Sequence, residues 1–267
     1  MTRFPSLFVS HGAPTLALER GGAADFLRGY GETLGRPEAI LVISAHWETD
    51  TPAVGVSPAP GTIHDFRGFP PALYQIRYPA PGAPLVAEEA ARLIEAASGQ
   101  GQAVGQRVRR DPERGLDHGA WVPLSLMYPA ADIPVAQLSI LRRGGPAAHL
   151  ALGEAIRPLR DAGVLVLASG SATHNLYEFR GQDHDAPAPD WVSGFADWLA
   201  QAIHEGRAAD LVNYRKLAPH AERNHPTEEH LLPLHVALGA ASPSAIGRRV
   251  HSSHAHGVLA MDVHAFD

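Results

Sequence analysis

The 267-residue sequence contains no cysteine, which excludes disulfides, thiolate metal sites and cysteine nucleophiles together. It has no basic run, and a formal charge of −6 argues against a nucleic acid or an anionic membrane surface as partner. No apolar stretch is long enough to span a bilayer. The opening residues, MTRFPSLFVSHG, enter a strand-like run almost at once and lack the apolar core and cleavage site of a signal peptide, so a cytoplasmic protein is expected. GxGxxG, the P-loop, HExxH and the GxSxG elbow are also missing, which removes the commonest nucleotide-binding, zinc-protease and serine-hydrolase signatures. No repeat of solenoid or propeller length recurs.

What the chain does have is histidine: sixteen, against 22 Lys plus Arg. Histidine is the commonest metal ligand and the side chain that titrates nearest neutral pH. A surplus alone proves little, so position has to decide. The spacing predicts strands at 6–10, 39–45, 133–140, 164–169 and 257–266, and helices near 22–34, 84–97, 119–127, 146–161, 191–205 and 227–239. Such alternation predicts an α/β fold, one domain over 1–267, with a central mainly parallel or mixed sheet flanked by helices. Pro158 is expected to kink the helix that contains it. Two segments, 51–83 and 170–190, are rich in Pro, Gly and aromatics and read as long loops, which inside a domain are usually functional.

Three predicted strands run into histidine. SLFVS leads to His11, AILVIS to His46 and VLVLASGSAT to His174. Ligands of open α/β sheets bind beyond the carboxyl ends of the strands, so an active site is expected there, with these imidazoles around it. The stretch HPTEEHLLPLHVALGA, 225–240, adds three histidines and two carboxylates at an expected helix start, with Pro226 in the first turn. His230 is the firmer candidate to enter the crevice, and His225 is expected nearer its mouth. His235 reads as a core or surface residue. Glu228 and Glu229 suit a helix N-terminus electrostatically, and an approach of either to a metal stays open. In GLDHGAW, Asp117 as a helix cap and His118 as a catalytic group are both tenable. His64 beside Asp65 is expected in a loop or supporting role, and HSSHAHG, 251–257, on a solvated strand face. Trp47, Phe69, Tyr74 and Tyr78 are candidates for an aromatic wall suited to a flat ring.

With these residues assembled, the sequence resembles the class III extradiol ring-cleaving dioxygenases, in their DOPA 4,5-dioxygenase branch. The matching stretches are SHGAPTLALE, ILVISAHWET, TIHDFRGFPPALYQIRYPAPG, GLDHGAWVPL, ASGSATHNL and HPTEEHLLPLHVALGA, which occur in family order across essentially the whole chain. The resemblance implies His11 and His46 as metal ligands and a further one from the EEH element, matched by His230 with Glu229 beside it. The wider class completes its triad with a carboxylate, and the histidine here departs from that pattern. His174 is similar to the histidine that serves as acid/base or as an additional ligand, and His118 to a substrate-side histidine. His225, Trp47, Tyr78 and Phe69 are then expected to bind substrate. The implied cofactor is Fe(II), with Zn(II) able to occupy the same site. The implied reaction is O2-dependent 4,5-cleavage of a DOPA-like catechol to a muconic semialdehyde-type product, by a monomer or small homo-oligomer. A zinc-dependent hydrolase and a non-catalytic metal-binding relative are the alternatives.

Overall fold

The computed structural model describes residues 2–97, 103–243 and 245–267. Its strands are β1 (Ser6–Ser10), β2 (Ala39–Thr49), β3 (Ala53–Gly55), β4 (Arg109–Asp111), β5 (Val135–Leu141), β6 (Val164–Gly170), β7 (Gly247–His251), β8 (His254–Ala255), β9 (Leu259–Ala260) and β10 (Val263–Phe266). Eight of them form one mixed sheet in the order β4-β3-β5-β2-β6-β1-β10-β7, while β8 and β9 pair separately. The four middle strands β5, β2, β6 and β1 are mutually parallel, and β10 lies antiparallel to β1. Every residue of β1, β5 and β6 is buried, as expected where both faces of a parallel sheet are covered. Most of the buried apolar side chains among the described residues form one continuous cluster.

The helices are α1 (Gly22–Leu34), α2 (Pro84–Ala96), α3 (His118–Met127), α4 (Gly145–Ile156), α5 (Asp190–His204), the short α6 (Ala208–Val212), α7 (Tyr214–Leu217) and α8 (Ala221–Asn224), and α9 (Leu232–Ala240). They flank the sheet: α9 packs on β6, β1 and β2 and is backed by α4, while α3 packs on β2 and β6 beside α1. No helix among the described residues is long and apolar enough to cross a membrane.

Three expected elements differ in the structure. The helix expected over 227–239 begins only at Leu232, and residues 226–231 form turns. Pro233, not Pro226, occupies the first turn, because its ring and missing N–H prevent the helix from running back toward residue 227. The helix expected over 146–161 ends at Ile156 and continues as a 3-10 turn, Arg157–Ala162, so Pro158 changes the helix type. The strand expected over 257–266 is broken between β9 and β10, where the Asp262 carbonyl accepts from Ser10 N–H at the end of β1.

The central strand β2 is irregular near its carboxyl end. Ser44 pairs with Ser139 but Glu48 pairs with Ile140, so Ala45, His46 and Trp47 bulge out of the ladder. A bulge re-aims side chains where pairing ends, and here it turns His46 at the edge where the parallel strands finish.

Candidate active site

His11 directly follows β1, and its backbone N–H donates to the Gly170 carbonyl at the end of β6. Its Nδ1 lies 2.9 Å from Ser169 Oγ, whose hydroxyl donates to the Gly119 carbonyl. A carbonyl only accepts, so the single serine proton is committed and His11 Nδ1 must be the donor. That fixes the tautomer and leaves the lone pair on Nε2. His230 is set the same way: Nδ1 donates to Glu229 Oε1 at 3.0 Å, and Nε2 is left buried without a partner among the described residues. His46 stands on the bulge with Nδ1 3.6 Å from Asp65 Oδ2, and its Nε2 faces His11 Nε2 at 3.1 Å.

Two glycines let the backbone come this close. A Cβ on Gly119 would lie 2.3 Å from Ser44 Oγ, and one on Gly170 would lie 2.1 Å from the His230 carbonyl oxygen. Gly170 therefore allows the 225–231 turns to dock on the end of β6, where Ser171 N–H donates to that same carbonyl at 2.8 Å.

The ligand atoms of His11, His46 and His230 all lie within 4.8 Å of one another. His174 stacks on His230 with ring centroids 3.5 Å apart and an interplanar angle of 9°. His118 closes the other side, 3.9 Å from His46 between centroids, at the start of α3 where Asp117 caps the helix by accepting from Ala120 N–H. His118 Nδ1 is 2.9 Å from Asp65 Oδ1, and the backbone N–H of His118 donates to that oxygen at 3.0 Å. Burial, reinforced by the neighbouring imidazoles, holds His11 and His230 well below the ordinary histidine pKa. His46 and His174 are lowered to about 4, again chiefly by burial. These four rings are therefore neutral at pH 7 and carry available lone pairs. Burial raises Asp65, but the bond from His118 and its nearby charge outweigh it, so Asp65 is lowered to about 2 and is a carboxylate.

All five histidines line one cavity of about 620 Å³ whose walls include Phe66, Phe69, Leu176 and Phe179. The size is that of a small-molecule site, apolar with a few convergent polar groups.

The catalytic LigB subunit of aromatic ring-opening dioxygenases matches this chain over residues 5–261. This chain belongs to that family. It is 44% identical over 264 residues to a 4,5-DOPA dioxygenase extradiol of Beta vulgaris, covering 98% of this chain and 96% of the relative. It is 40% identical over 243 residues to a protein of the same name from Escherichia coli strain K12, covering 90% and 86%. A crystal structure of an uncharacterized Escherichia coli K12 protein superposes with a TM-score of 0.81 at 32% identity, covering 99% of this chain and all of that one.

A metal fits this LigB-family site on the chemistry of its donors. Two imidazole nitrogens each about 2.1 Å from one ion and at right angles lie about 3.0 Å apart, close to the 3.1 Å between the Nε2 atoms of His11 and His46. The lone pair fixed on His11 Nε2 faces His46 Nε2 at that distance, and the orphaned Nε2 of His230 lies in the same cluster, a donor set that fits one cation. Glu229 stands behind His230, accepting also from Thr227 Oγ1 at 3.0 Å, in the manner of a carboxylate that orients a metal-binding histidine.

Several expected substrate contacts lie elsewhere. His225 is fully buried with Nε2 2.9 Å from the Ala172 carbonyl, so it braces the loop after β6 and is not among the residues lining the cavity. Trp47 is buried under the Arg114 guanidinium, 4.9 Å from its ring, and Tyr78 is buried with its hydroxyl donating to the Tyr128 carbonyl. Neither lines the cavity; Phe69 does. Tyr74 packs against Phe66, which lines it in addition. His64 approaches the Ile76 carbonyl, consistent with the loop role expected of it. His235 is buried in the core, its Nε2 3.1 Å from the Leu211 carbonyl. Sequence reasoning missed the parts played by Asp65 and Ser169; Ser169 carried a faint signal as a polar residue ending an otherwise apolar strand.

Proposed function

We propose that this protein is an extradiol dioxygenase that opens the ring of a catechol with O2, and that His11, His46 and His230 hold an Fe(II) ion at its centre. The substrate we assign is DOPA-like, opened at the 4,5 bond, as the names of its relatives suggest. The observation that carries the reading is the convergence of three neutral imidazoles, two of them locked into the ligating tautomer, on the floor of an apolar cavity. Fe(II) supplies electron transfer to O2 and adjacent exchangeable positions, whereas Zn(II) has no accessible redox change.

The protein's own groups do the rest. Phe66 and Phe69 offer apolar faces to a flat ring and keep water from it. His174 is a neutral base at pH 7, and a ring nitrogen of His174 accepts the proton that a catechol hydroxyl gives up on binding, returning it later. Asp65 accepts the His118 backbone N–H and stands 2.9 Å from its Nδ1, which keeps the ring at the cavity wall to hydrogen-bond a substrate oxygen as its charge changes. We assign His174 the acid/base role; its ligand atom also lies with those of Glu229 and His230 in a group able to hold a metal.

The test is anaerobic reconstitution with Fe(II), addition of a panel of catechols, and admission of air. A yellow semialdehyde that forms only with oxygen and Fe(II) supports the reading. Turnover that ignores oxygen would favour the zinc hydrolase instead.

A further inference from the structure

The cavity has two chemically different ends. Its floor is the histidine cluster, with His11 and His230 only 2% and 5% exposed. Its opening carries Glu19, His184 and His256, with the side chains of Glu19 and His184 exposed by 27% and 47%. Ring opening on the floor makes no use of these three groups. They come from distant parts of the chain: Glu19 ends the 3-10 turn Pro14–Leu18 that follows His11, His184 lies in the loop after β6, and His256 in the turn between β8 and β9.

Their arrangement is specific. Glu19 Oε2 is 3.3 Å from His184 Nε2, and His184 Nδ1 is 2.9 Å from Asp185 Oδ1. That bond to Asp185, with the charge of Glu19, raises the His184 pKa and favours its cationic form. His256 holds the loop by donating its backbone N–H to the His184 carbonyl at 2.8 Å. Its Nδ1 lies 3.1 Å from the Gln182 carbonyl. Among the described residues lining the cavity there is no arginine or lysine, and Glu19 is the one carboxylate, so histidine is the cationic side chain there.

We infer that the opening is a head-group subsite for catechols whose side chain carries an ammonium and a carboxylate. Glu19 takes the ammonium and His184 the carboxylate, the two residues exchanging each other for the ligand's charges. An exposed ion pair contributes little to stability, so the exchange costs the protein little. Phe66 and Phe69, which line the same cavity, hold the ring while its two ends are read. The inference rests on the ring-opening reading for the orientation of the substrate, and on the cavity's charges for its class.

The test measures binding of L-DOPA, dopamine and 3-(3,4-dihydroxyphenyl)propanoate to the anaerobic Fe(II)-loaded protein by calorimetry, and then admits air. Glu19→Gln should weaken L-DOPA and dopamine by about five-fold, the affinity equivalent of one exposed ion pair, and leave the propanoate within about two-fold. His184→Gln should weaken L-DOPA and the propanoate and spare dopamine. Both side chains are partly exposed, and circular dichroism verifies that the fold is kept. Variants that shift all three ligands alike, or none, overturn the subsite, while ring opening in air still upholds the reaction. Charge-selective binding without ring opening of any of the three upholds the subsite and removes the reaction.

Discussion

Ser169 Oγ sits between the His11 ring and the Gly119 carbonyl, and that position decides which nitrogen of His11 carries the lone pair. The hydroxyl gives its proton to the carbonyl and must receive one from His11 Nδ1. A strand residue thereby sets the tautomer of the imidazole on the neighbouring strand end. Ser169→Ala is expected to keep the fold, at a cost of roughly 1–3 kcal/mol for the Gly119 carbonyl left unsatisfied, and to weaken metal binding about 10- to 100-fold. Metal titration alongside urea unfolding measures both. Undiminished affinity would remove the tautomer argument.

His230 and His225 lie five positions apart in the sequence and in different environments, which gives a sharp contrast. Alanine at His230, as at His11 or His46, should reduce bound metal to near zero by elemental analysis of the folded protein. His225→Ala should retain metal and lose stability, by roughly 2–3 kcal/mol, because it opens space in a packed region and strands the Ala172 carbonyl. If His225→Ala lost the metal and His230→Ala kept it, the assignment within this segment would be reversed.

Legibility in the sequence depended on what each signal encodes. β1 and α1 have the expected bounds because an apolar run and an amphipathic period report burial directly. The strand-end address of His11, His46 and His174 was legible for the same reason. Trp47 was misplaced because the β2 bulge resets the alternation that would have aimed it. The start of α9 was misplaced because two prolines, Pro226 and Pro233, compete as first-turn residues and local sequence does not rank them. Asp65, Ser169, Glu19 and His184 matter through partners far along the chain, such as His118 for Asp65 and His11 for Ser169. No periodicity carries that information. The histidines at 251–257 divided: His251 stacks on Phe26, while His256 reaches the cavity opening on a backbone with φ 54°, which no strand pattern anticipates.

Asp65→Asn tests the carboxylate behind His118. The amide is nearly isosteric and can still accept the His118 backbone N–H, so the loop should stay in place. It no longer carries the charge that orients and polarises the ring. The expected outcome is full metal content with kcat reduced by about 10²-fold, the lower end for a positioned acid–base group. Single-turnover kinetics on the Fe(II) form measure it, and wild-type turnover in this variant would leave His118 acting without its partner.

Buried histidines outside the cavity make stability depend on pH with a definite sign. Burial lowers His149 to about 4, and His225 and His264 to about 3. His149 is satisfied as a neutral ring, Nε2 accepting from Leu141 N–H at 2.9 Å and Nδ1 lying 2.6 Å from the Gly145 carbonyl. In the unfolded chain each titrates near about 6.5, so below that pH the unfolded state binds protons that the native state refuses. Stability is therefore full above about pH 6.5 and falls as pH drops, by up to roughly 1.4 kcal/mol per pH unit for each such histidine. The urea midpoint of the metal-free protein should decline from pH 7 to 5.5, a window above the titration of ordinary carboxylates. His149→Gln should lessen the slope by one histidine's share. A midpoint that stayed level across that window would mean these rings accept protons inside the fold, and with them the neutrality assigned to the cavity imidazoles would fall.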